Sequence, residues 1–153
     1  MPVSGFDHVA IPTADAARFL AFYEALGFAT EGADAWRAGT GKIFAITFGD
    51  QKINVHPESL MEFRDQPWFL RGPTAEPGCG DFCFVWDGGL DALLHVLTAA
   101  GVAVIEGPTP RKGGRDGGTA PGVSVYVRDP DDNLLEFISY DPDDAARHPG
   151  VAR

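Results

Sequence analysis

The sequence is poor in basic residues, and this limits its partners. Only 12 Lys and Arg stand against 22 Asp and Glu in 153 residues, which gives a net charge of −10 at pH 7. A protein that binds the phosphate backbone of a nucleic acid needs a basic surface, so this charge balance argues against such a partner. Acidity is a common route to solubility and is also compatible with a cationic ligand. We expect a small-molecule partner and no nucleic acid.

Long apolar segments are also missing. No apolar run approaches the roughly 18 residues that a membrane span needs, and the first residues lack the basic and then apolar pattern of a secretory signal. The two cysteines, Cys79 and Cys83, are too few for a disulfide framework. In an extended strand they would also lie too far apart to bridge. These absences predict a reduced, cytoplasmic protein with no membrane association.

What the sequence does contain is a pattern that occurs twice. An extended stretch at about 6–12 precedes an amphipathic helix that ends at Leu26-Gly27, and a second such pair follows at about 81–86 and 89–100. Short strands complete each half, at about 28–38, 42–48 and 51–56 and then at about 102–106, 122–128 and 133–140. Each half therefore reads β-α-β-β-β. The pattern predicts an α+β fold of two tandem modules.

Boundaries follow from the same reading. We expect a single domain, 1–153, made of the following segments: module one at 5–57, a linker at 58–79, module two at 80–140 and a tail at 141–153. The Gly, Pro and Arg content of residues 106–122 predicts a long loop without regular structure. The tail has the composition of a frayed terminus. Aromatic residues in the linker predict that part of it packs on the core or over a pocket.

Four polar residues stand at corresponding places in the two halves: His8, His56, Asp81 and Glu136. Side chains alternate between the two faces of a strand. In all four strands the bulkier apolar residues have one parity, suited to packing against helices, and the polar residue has the other. If the modules form a curved mixed sheet, the polar face becomes a cup-shaped cavity with these four residues on its floor.

Two imidazoles and two carboxylates are the ligand types of a metal site. Mixed nitrogen and oxygen ligands suit one divalent ion, Zn, Ni, Mn, Co or Fe(II). Each residue also has an ordinary explanation, since a histidine or glutamate on a strand often only faces water and Asp81 could begin a strand. The repeat makes four coincidences less credible, and we favour metal binding by His8, His56, Asp81 and Glu136.

Further polar residues share the expected face or lie near it. Asn54, Ser124 and Tyr126 have the same parity as the candidate ligands and could position a substrate, although plain sheet-surface polarity explains them equally well. Arg111, Lys112 and Arg115 form a basic group in the predicted loop. Arg111 is a candidate for gripping an anionic substrate, and a solvated loop is the alternative.

At three stretches the chain resembles the vicinal oxygen chelate superfamily, which includes glyoxalase I, bleomycin-resistance proteins and extradiol dioxygenases. These stretches are Asp7-His8-Val9-Ala10-Ile11, Phe22-Tyr23 before Leu26-Gly27, and residues 129–136. The resemblance covers about residues 5–140. Within the superfamily, residues 48–56 and 106–111 are most similar to the group of glyoxalase domain-containing protein 5 and its bacterial relatives.

The resemblance implies paired β-α-β-β-β modules around a divalent metal that holds adjacent oxygens of the substrate. His8, His56 and Glu136 match positions that carry ligands in some members. Asp81 departs from the pattern, because several member families usually have histidine there. It implies either a carboxylate ligand or a residue that orients a water on the metal. Glu136 or Asp81 could also act as the catalytic base.

Two functions remain open on this basis. The first is a metal-dependent enzyme, a lyase, isomerase or ring-cleaving dioxygenase, acting on a small oxygenated substrate. The second is a metal-free protein of the bleomycin-resistance type that sequesters a cationic, planar molecule, for which Trp36, Trp68 and Trp86 are the candidate contacts. A homodimer is compatible with both.

Overall fold

The computed structural model describes residues 2–150, which divide into two compact units, the first ending at Cys79 and the second beginning at Gly80. Unit 1 contains β1 (His8–Pro12), α1 (Ala16–Ala25), β2 (Ala29–Glu31), α2 (Ala33–Arg37), β3 (Phe44–Phe48), β4 (Gln51–His56) and α3 (Glu58–Met61). Unit 2 contains β5 (Asp81–Val85), α4 (Leu90–Ala99), β6 (Glu106–Gly113), β7 (Ala120–Arg128), β8 (Leu134–Ser139) and α5 (Pro142–Arg147).

Each unit is built on a four-stranded mixed sheet. The strand order is β1-β4-β3-β2 in unit 1 and β5-β8-β7-β6 in unit 2, so the two halves share one topology. The first strand of each sheet runs parallel to the last strand of its unit, and the remaining pairs are antiparallel. The predicted α+β class with two tandem modules is confirmed. No helix among residues 2–150 has the length and apolar character required to span a bilayer.

In unit 1 the apolar side chains of the strands, which share one face of the sheet, pack against α1. The helix begins at Asp15, whose side chain accepts a hydrogen bond from the Arg18 amide, and such a cap satisfies an otherwise unpaired amide of the first turn. Phe19 is fully buried, with its ring centroid 6.4 Å from that of Phe44 on β3. Ile53 and Val55 of β4 are buried on the same side. The opposite parity forms what we call the polar face of unit 1.

In unit 2 the same division of faces recurs. Val125, Leu135 and Phe137 of the strands are buried, as are the leucines of α4 at positions 90, 93 and 97. The alternate positions of β5, β7 and β8 form the polar face of unit 2. Because only one face of the sheet is buried, the apolar side chains of each strand must lie on that face.

Hydrogen bonds at residues 129–133 set the pairing of β5 with β8. Asp129 Oδ1 accepts from the Asn133 amide at 2.9 Å, and the Asn133 side-chain amide donates to Asp129 Oδ2 at 2.8 Å. Asn133 Oδ1 in turn accepts from the Gly80 amide at 2.6 Å, and the Leu134 amide donates to the Gly80 carbonyl. Both side chains are buried. The start of β5 is therefore tied to the start of β8.

Three sequence predictions are wrong in detail. The strand expected at about 28–38 is only β2, because residues 33–37 are rich in helix-forming alanine and form α2. The strand expected at 102–106 is absent from the described residues 102–105. The long loop expected at 106–122 begins instead with the eight-residue strand β6. Its prolines are tolerated because β6 lies at the edge of the sheet, where a missing amide donor costs little.

The expected frayed tail is also corrected, because residues 142–147 form α5 and dock through Asp144. This side chain is fully buried. Asp144 Oδ2 accepts from the Leu90 amide at 3.0 Å and from the Ser139 hydroxyl at 2.6 Å, and Asp144 Oδ1 accepts from Arg147 at 2.6 Å. The carboxylate therefore supplies the N-terminal partner that α4 otherwise lacks. A pattern read only for local propensity does not show such a long-range cap.

We predict that Asp144→Ala lowers the free energy of unfolding by about 2–4 kcal/mol, because it leaves buried donors without an acceptor. Urea denaturation measures this loss, and Asp143→Ala, at an exposed neighbour, should change stability by less than about 0.5 kcal/mol. Burial acts to raise the pKa of Asp144, but hydrogen bonds from Ser139, Arg147 and Leu90 outweigh it and lower the pKa. The stability due to this group is thus present above the ordinary aspartate pKa and is lost as pH falls through the lowered one. Equal losses in the two variants would contradict the assigned role.

Candidate functional site

The pairing register of unit 1 separates its two candidate histidines. His8, Ala10 and Pro12 of β1 lie on the polar face and pair with Lys52, Asn54 and His56 of β4, in that order. His8 is thus at one end of the paired strands and His56 at the other, separated by four residues, or about 13 Å of strand. The structure places both on the predicted face but does not bring the two imidazoles together.

The same registers correct one equivalence in the repeat. In unit 2, Asp81 pairs with Leu134 and Cys83 pairs with Glu136. His8 and Asp81 are the first residues of β1 and β5, and with these two matched the residue of unit 1 that corresponds to Glu136 is Asn54. His56 corresponds to Ile138. The expectation that His56 and Glu136 are equivalent is wrong by two residues. Because a shift of two residues leaves a side chain on the same face of its strand, the alternation of apolar and polar residues does not reveal it.

His8 contacts a neighbouring carboxylate. It is half-exposed, and its Nδ1 lies 2.5 Å from Oδ1 of Asp7. Ligating histidines usually donate their second ring N–H to a carboxylate or carbonyl, which fixes the ring and raises the basicity of the other nitrogen. The contact with Asp7 leaves Nε2 of His8 as the ring nitrogen for a ligand.

His56 has a different environment, beneath the segment that follows β4. Its ring contacts Phe69 edge-on, with 5.0 Å between ring centroids. Arg71 lies nearby with its side chain almost buried, donating to the carbonyl oxygens of Gly72 at 2.7 Å and Ala75 at 2.8 Å. Burial first, and then the charge of Arg71, lower the pKa of His56 below its ordinary value of 6.5. The charge of Arg71 would repel a metal cation bound at His56. The His56 ring is therefore better suited to packing against Phe69 than to binding a cation.

A small cavity of about 50 Å³ adjoins His56 on the polar face of unit 1. Its walls include Pro12 and Met61 as well as Arg71. Its volume leaves room for about one solvent-sized molecule. Of the linker aromatics, Phe69 packs against His56 but does not line this cavity, whereas Phe63 and Trp68 contact each other and remain 46% and 59% exposed.

On the polar face of unit 2, Glu136 is surrounded by polar side chains. The buried Ser124 donates its hydroxyl to Glu136 Oε1 at 2.5 Å. Tyr126 of β7 and Cys83 of β5 pair with Glu136 from its two sides. Asp81 lies two residues before Cys83 on the same face and is exposed. Three of the predicted residues of this unit, Glu136, Ser124 and Tyr126, are therefore brought together.

Arg111 is already engaged by polar groups of its own unit. Its guanidinium donates to the Tyr126 hydroxyl at 2.9 Å, to Thr109 Oγ1 at 3.0 Å, to the Pro110 carbonyl and to Glu106 Oε1 at 2.6 Å. With these four acceptors it has one N–H left of five. Arg111 thus holds Tyr126 beside Glu136, and the expected contact with a substrate anion stays a prediction.

Cys83 and Arg71 were not singled out by the sequence argument. Cys83 shares the parity of Asp81, a signal that was available, whereas nothing in the pattern marked Arg71. Partial desolvation, followed by the charges of Glu136 and Asp81, raises the pKa of the Cys83 thiol to about 12. Cys83 therefore stays protonated at neutral pH and is poorly suited to act as a nucleophile or a thiolate ligand.

Within the described range, residues 2–150, no three His, Cys, Asp or Glu side chains form a group that could hold a metal ion. The four-residue metal centre of the sequence argument stays a prediction. The structure contributes the environment of each candidate: His8 paired with Asp7, Glu136 held by Ser124, Asp81 on the same face, and His56 packed on Phe69.

Comparison with known proteins identifies the family. Residues 5–137 match the model of the glyoxalase/bleomycin resistance protein/dioxygenase superfamily. Virulence protein STM3117 of Salmonella typhimurium is 35% identical over 92% of this chain and 87% of its own length. The glyoxalase domain-containing protein RDO1 of Mycosarcoma maydis is 38% identical over 92% and 70%. The solved structure of integron cassette protein VCH_CASS1 from V. cholerae has 31% identity and a TM-score of 0.73, covering 92% of this chain and 98% of that one.

We predict that His56 makes unit 1 sensitive to acid. Its folded-state pKa is lowered, so its stabilising contribution is present above pH 6.5 and is lost as pH falls through the lowered pKa. Hydrogen exchange at the Phe69 amide should accelerate on acidification in the unmodified protein, relative to the intrinsic rate.

His56→Phe preserves an aromatic ring against Phe69 and should abolish the acid-dependent part of this acceleration. His95→Gln, on the exposed side of α4, is the matched control and should behave like the unmodified protein. The same acid response in His56→Phe and in the unmodified protein would refute the assignment.

A second prediction concerns Tyr126. Burial raises the pKa of Tyr126, while the hydrogen bond and charge of Arg111 lower it and the neighbouring Glu136 raises it. Arg111→Met removes the opposing contribution, so the pKa of Tyr126 should rise further. NMR of tyrosines labelled at Cζ measures this, with Tyr126→Phe to assign the signal. Lys112→Met removes an adjacent charge that does not touch Tyr126 and should leave its titration unchanged, and an unchanged titration in Arg111→Met would disprove the contact.

Proposed function

The chain belongs to the glyoxalase/bleomycin resistance protein/dioxygenase superfamily, and we propose that it is a divalent-metal-dependent enzyme that acts on a small oxygenated substrate. The reaction classes are those of a lyase, an isomerase or a ring-cleaving dioxygenase. The observation that carries the proposal is the matched register of the two sheets, which puts His8 and Asp81 at one equivalent position and Asn54 and Glu136 at the other. We also propose a closer relationship to the group of glyoxalase domain-containing protein 5.

We propose His8, Asp81 and Glu136 as the metal ligands, although residues 2–150 of the structure contain no formed group of three such side chains. The donor set is one imidazole and two carboxylates, which suits Zn, Ni, Mn, Co or Fe(II). Two observations support the fit: Nδ1 of His8 already contacts a carboxylate, and one oxygen of Glu136 is held by a hydroxyl donor. Both are the outer contacts that ligating side chains generally have. His56 is left out because it lies at the far end of the paired strands, beside the cation of Arg71.

A bound divalent ion supplies Lewis-acid chemistry by polarising substrate oxygens and stabilising the negative charge that develops on them. The chain's own residues supply the proton transfer and the orientation. Glu136 accepts the substrate proton, with Asp81 as the alternative base, and Ser124 keeps the Glu136 carboxylate in one orientation. Tyr126, held by Arg111, presents its hydroxyl beside that carboxylate and positions the substrate. Asn54 plays the corresponding positioning role in unit 1.

The alternative, a metal-free protein that sequesters a planar cation, gains no specific support from the aromatic residues. Trp36 packs on Phe44 at 5.3 Å between ring centroids, and Trp86 packs edge-on against Phe137 at 6.3 Å. Of the three tryptophans considered for stacking on a ligand, Trp68 alone is among the large apolar residues exposed to solvent. The enzyme therefore remains the better-supported function.

We predict that the protein, purified without chelators and reconstituted, binds about one divalent ion per chain, as measured by elemental analysis and by calorimetric titration. His8→Ala, Asp81→Ala and Glu136→Gln should each abolish tight binding, and Asp7→Asn should weaken it by about tenfold or more through its effect on His8. His56→Phe should retain the metal, and it is the matched histidine control.

Activity is then assayed with the metal-loaded protein on three substrate types: thiol hemithioacetals, catechols with oxygen uptake, and small hydroxy-carbonyl compounds. Metal content near zero after reconstitution would overturn the enzyme proposal. Loss of metal in His56→Phe, with retention in His8→Ala, would overturn the ligand set and leave the function open to a different site.

A further inference from the structure

A separate cavity of about 290 Å³ lies in unit 2, where β5 and β8 end. Its wall includes Trp86, Asp87, Arg115, Tyr140 and Asp141. Tyr140 is four residues beyond Glu136, or about 13 Å along the strand direction, and Glu136 does not line the cavity. The volume is at the lower limit of ordinary ligand pockets, about 300–1,000 Å³. A ligand of this cavity is therefore small, with roughly the size of an amino acid.

Arg115 is a cation held in this cavity by an aromatic ring. Its guanidinium lies over the Tyr140 ring, 4.4 Å from the ring centroid. Among residues 2–150, no carboxylate forms an ion pair with it within 4.0 Å, whereas Arg111 and Arg147 each pair with a carboxylate at 2.6 Å. A cation–π contact orients a guanidinium without using its N–H donors. Arg115 thus has donors available to an incoming anion.

The Tyr140 ring that contacts Arg115 lies against β6, where a Cβ at Gly113 would clash with the tyrosine hydroxyl. The Trp86 indole is oriented by a hydrogen bond from its N–H to the Gly89 carbonyl at 3.0 Å. One oriented aromatic wall and one oriented cation are therefore present before any ligand arrives, which lowers the entropic cost of binding.

Two carboxylates line the same cavity. Asp87 follows Trp86 and is exposed, and Asp141 is the residue before α5. Asp141 Oδ1 accepts from the Asp143 amide at 2.9 Å, which fixes the orientation of the Asp141 carboxylate. Neither forms an ion pair with Arg115, so positive and negative groups stand apart on the wall of one cavity.

We propose that this cavity binds a small zwitterion of the amino-acid class, which carries one ammonium and one carboxylate. The ligand carboxylate pairs with Arg115, and the ligand ammonium lies between Asp87 and Asp141. A ligand with only an anionic group would face two uncompensated carboxylates, and one with only a cationic group would face an uncompensated guanidinium. A zwitterion alone meets both signs. The apolar part of the ligand contacts Trp86 and Tyr140.

The test uses the metal-free full-length chain, so that it is independent of the proposed metal site and reaction. The Trp86 indole N–H signal is followed by ¹H–¹⁵N NMR, with Trp86→Phe to assign it. Two matched sets of probes are titrated: L-leucine with 4-methylpentanoate and 3-methylbutylamine, and L-phenylalanine with 3-phenylpropanoate and 2-phenylethylamine. In at least one set the amino acid should bind up to about fivefold more tightly than either singly charged analogue, the fold-change that corresponds to one exposed ion pair.

Charge-removing variants locate the two contacts. Arg115→Gln should remove the advantage of the amino acid over the amine, and Asp87→Asn should reduce its advantage over the carboxylate. Lys112→Gln and Asp116→Asn make the same charge changes outside the cavity and should leave the affinities unaltered. The proposal is overturned if no probe shifts the Trp86 signal at millimolar concentration, if the analogues bind as well as the amino acids, or if Arg115→Gln binds like the unmodified chain.

Discussion

The pairing register of the two parallel strand pairs is the constraint on which every proposed site depends. A side chain on a strand meets only the residues placed opposite it and the diagonal neighbours. In unit 2 the register is fixed by Asn133, which is bound to Asp129 on one side and to the Gly80 amide on the other. Glu136 consequently faces Cys83 and Tyr126. A shift of one residue would turn Glu136 into the apolar core.

Parity could be predicted from the sequence, but register could not. Alternation is a local property, and the apolar sets of β1, β4, β5 and β8 were visible in residues six or fewer apart. Register depends on contacts between residues about 45–55 apart along the chain, such as Gly80 with Asn133. A shift of two residues keeps every side chain on the same face of its strand. Alternation alone therefore could not decide whether His56 or Asn54 is the structural equivalent of Glu136. Only the strand pairs distinguish them.

The same distinction explains the other outcomes. The helices α1 and α4 were found because their apolar periodicity is strong and local, and their observed limits fall within the predicted ranges. Strand β6 was missed because its Gly and Pro content is ordinary evidence for a loop, and only its position at the sheet edge makes it tolerable. Helix α5 was missed although it carries local signals, an Asp141 N-cap followed by a proline and two aspartates. What the local sequence does not show is the bond between Asp144 and the Leu90 amide, 54 residues apart, that docks the helix.

The distribution of charge decides which arginines can serve a ligand. In a chain with 22 acidic residues against 12 basic ones, intramolecular carboxylates compete for every guanidinium. Arg37, Arg71, Arg111 and Arg147 each have an acidic partner within 4.0 Å. An arginine already paired gains little from a second anion, because binding must first disrupt an existing ion pair. Arg115 escapes this competition because its partner is the neutral ring of Tyr140, which orients the cation without neutralising it. Among residues 2–150, carboxylates occupy five other arginines, whereas the aromatic contact leaves the charge of Arg115 available to an anion.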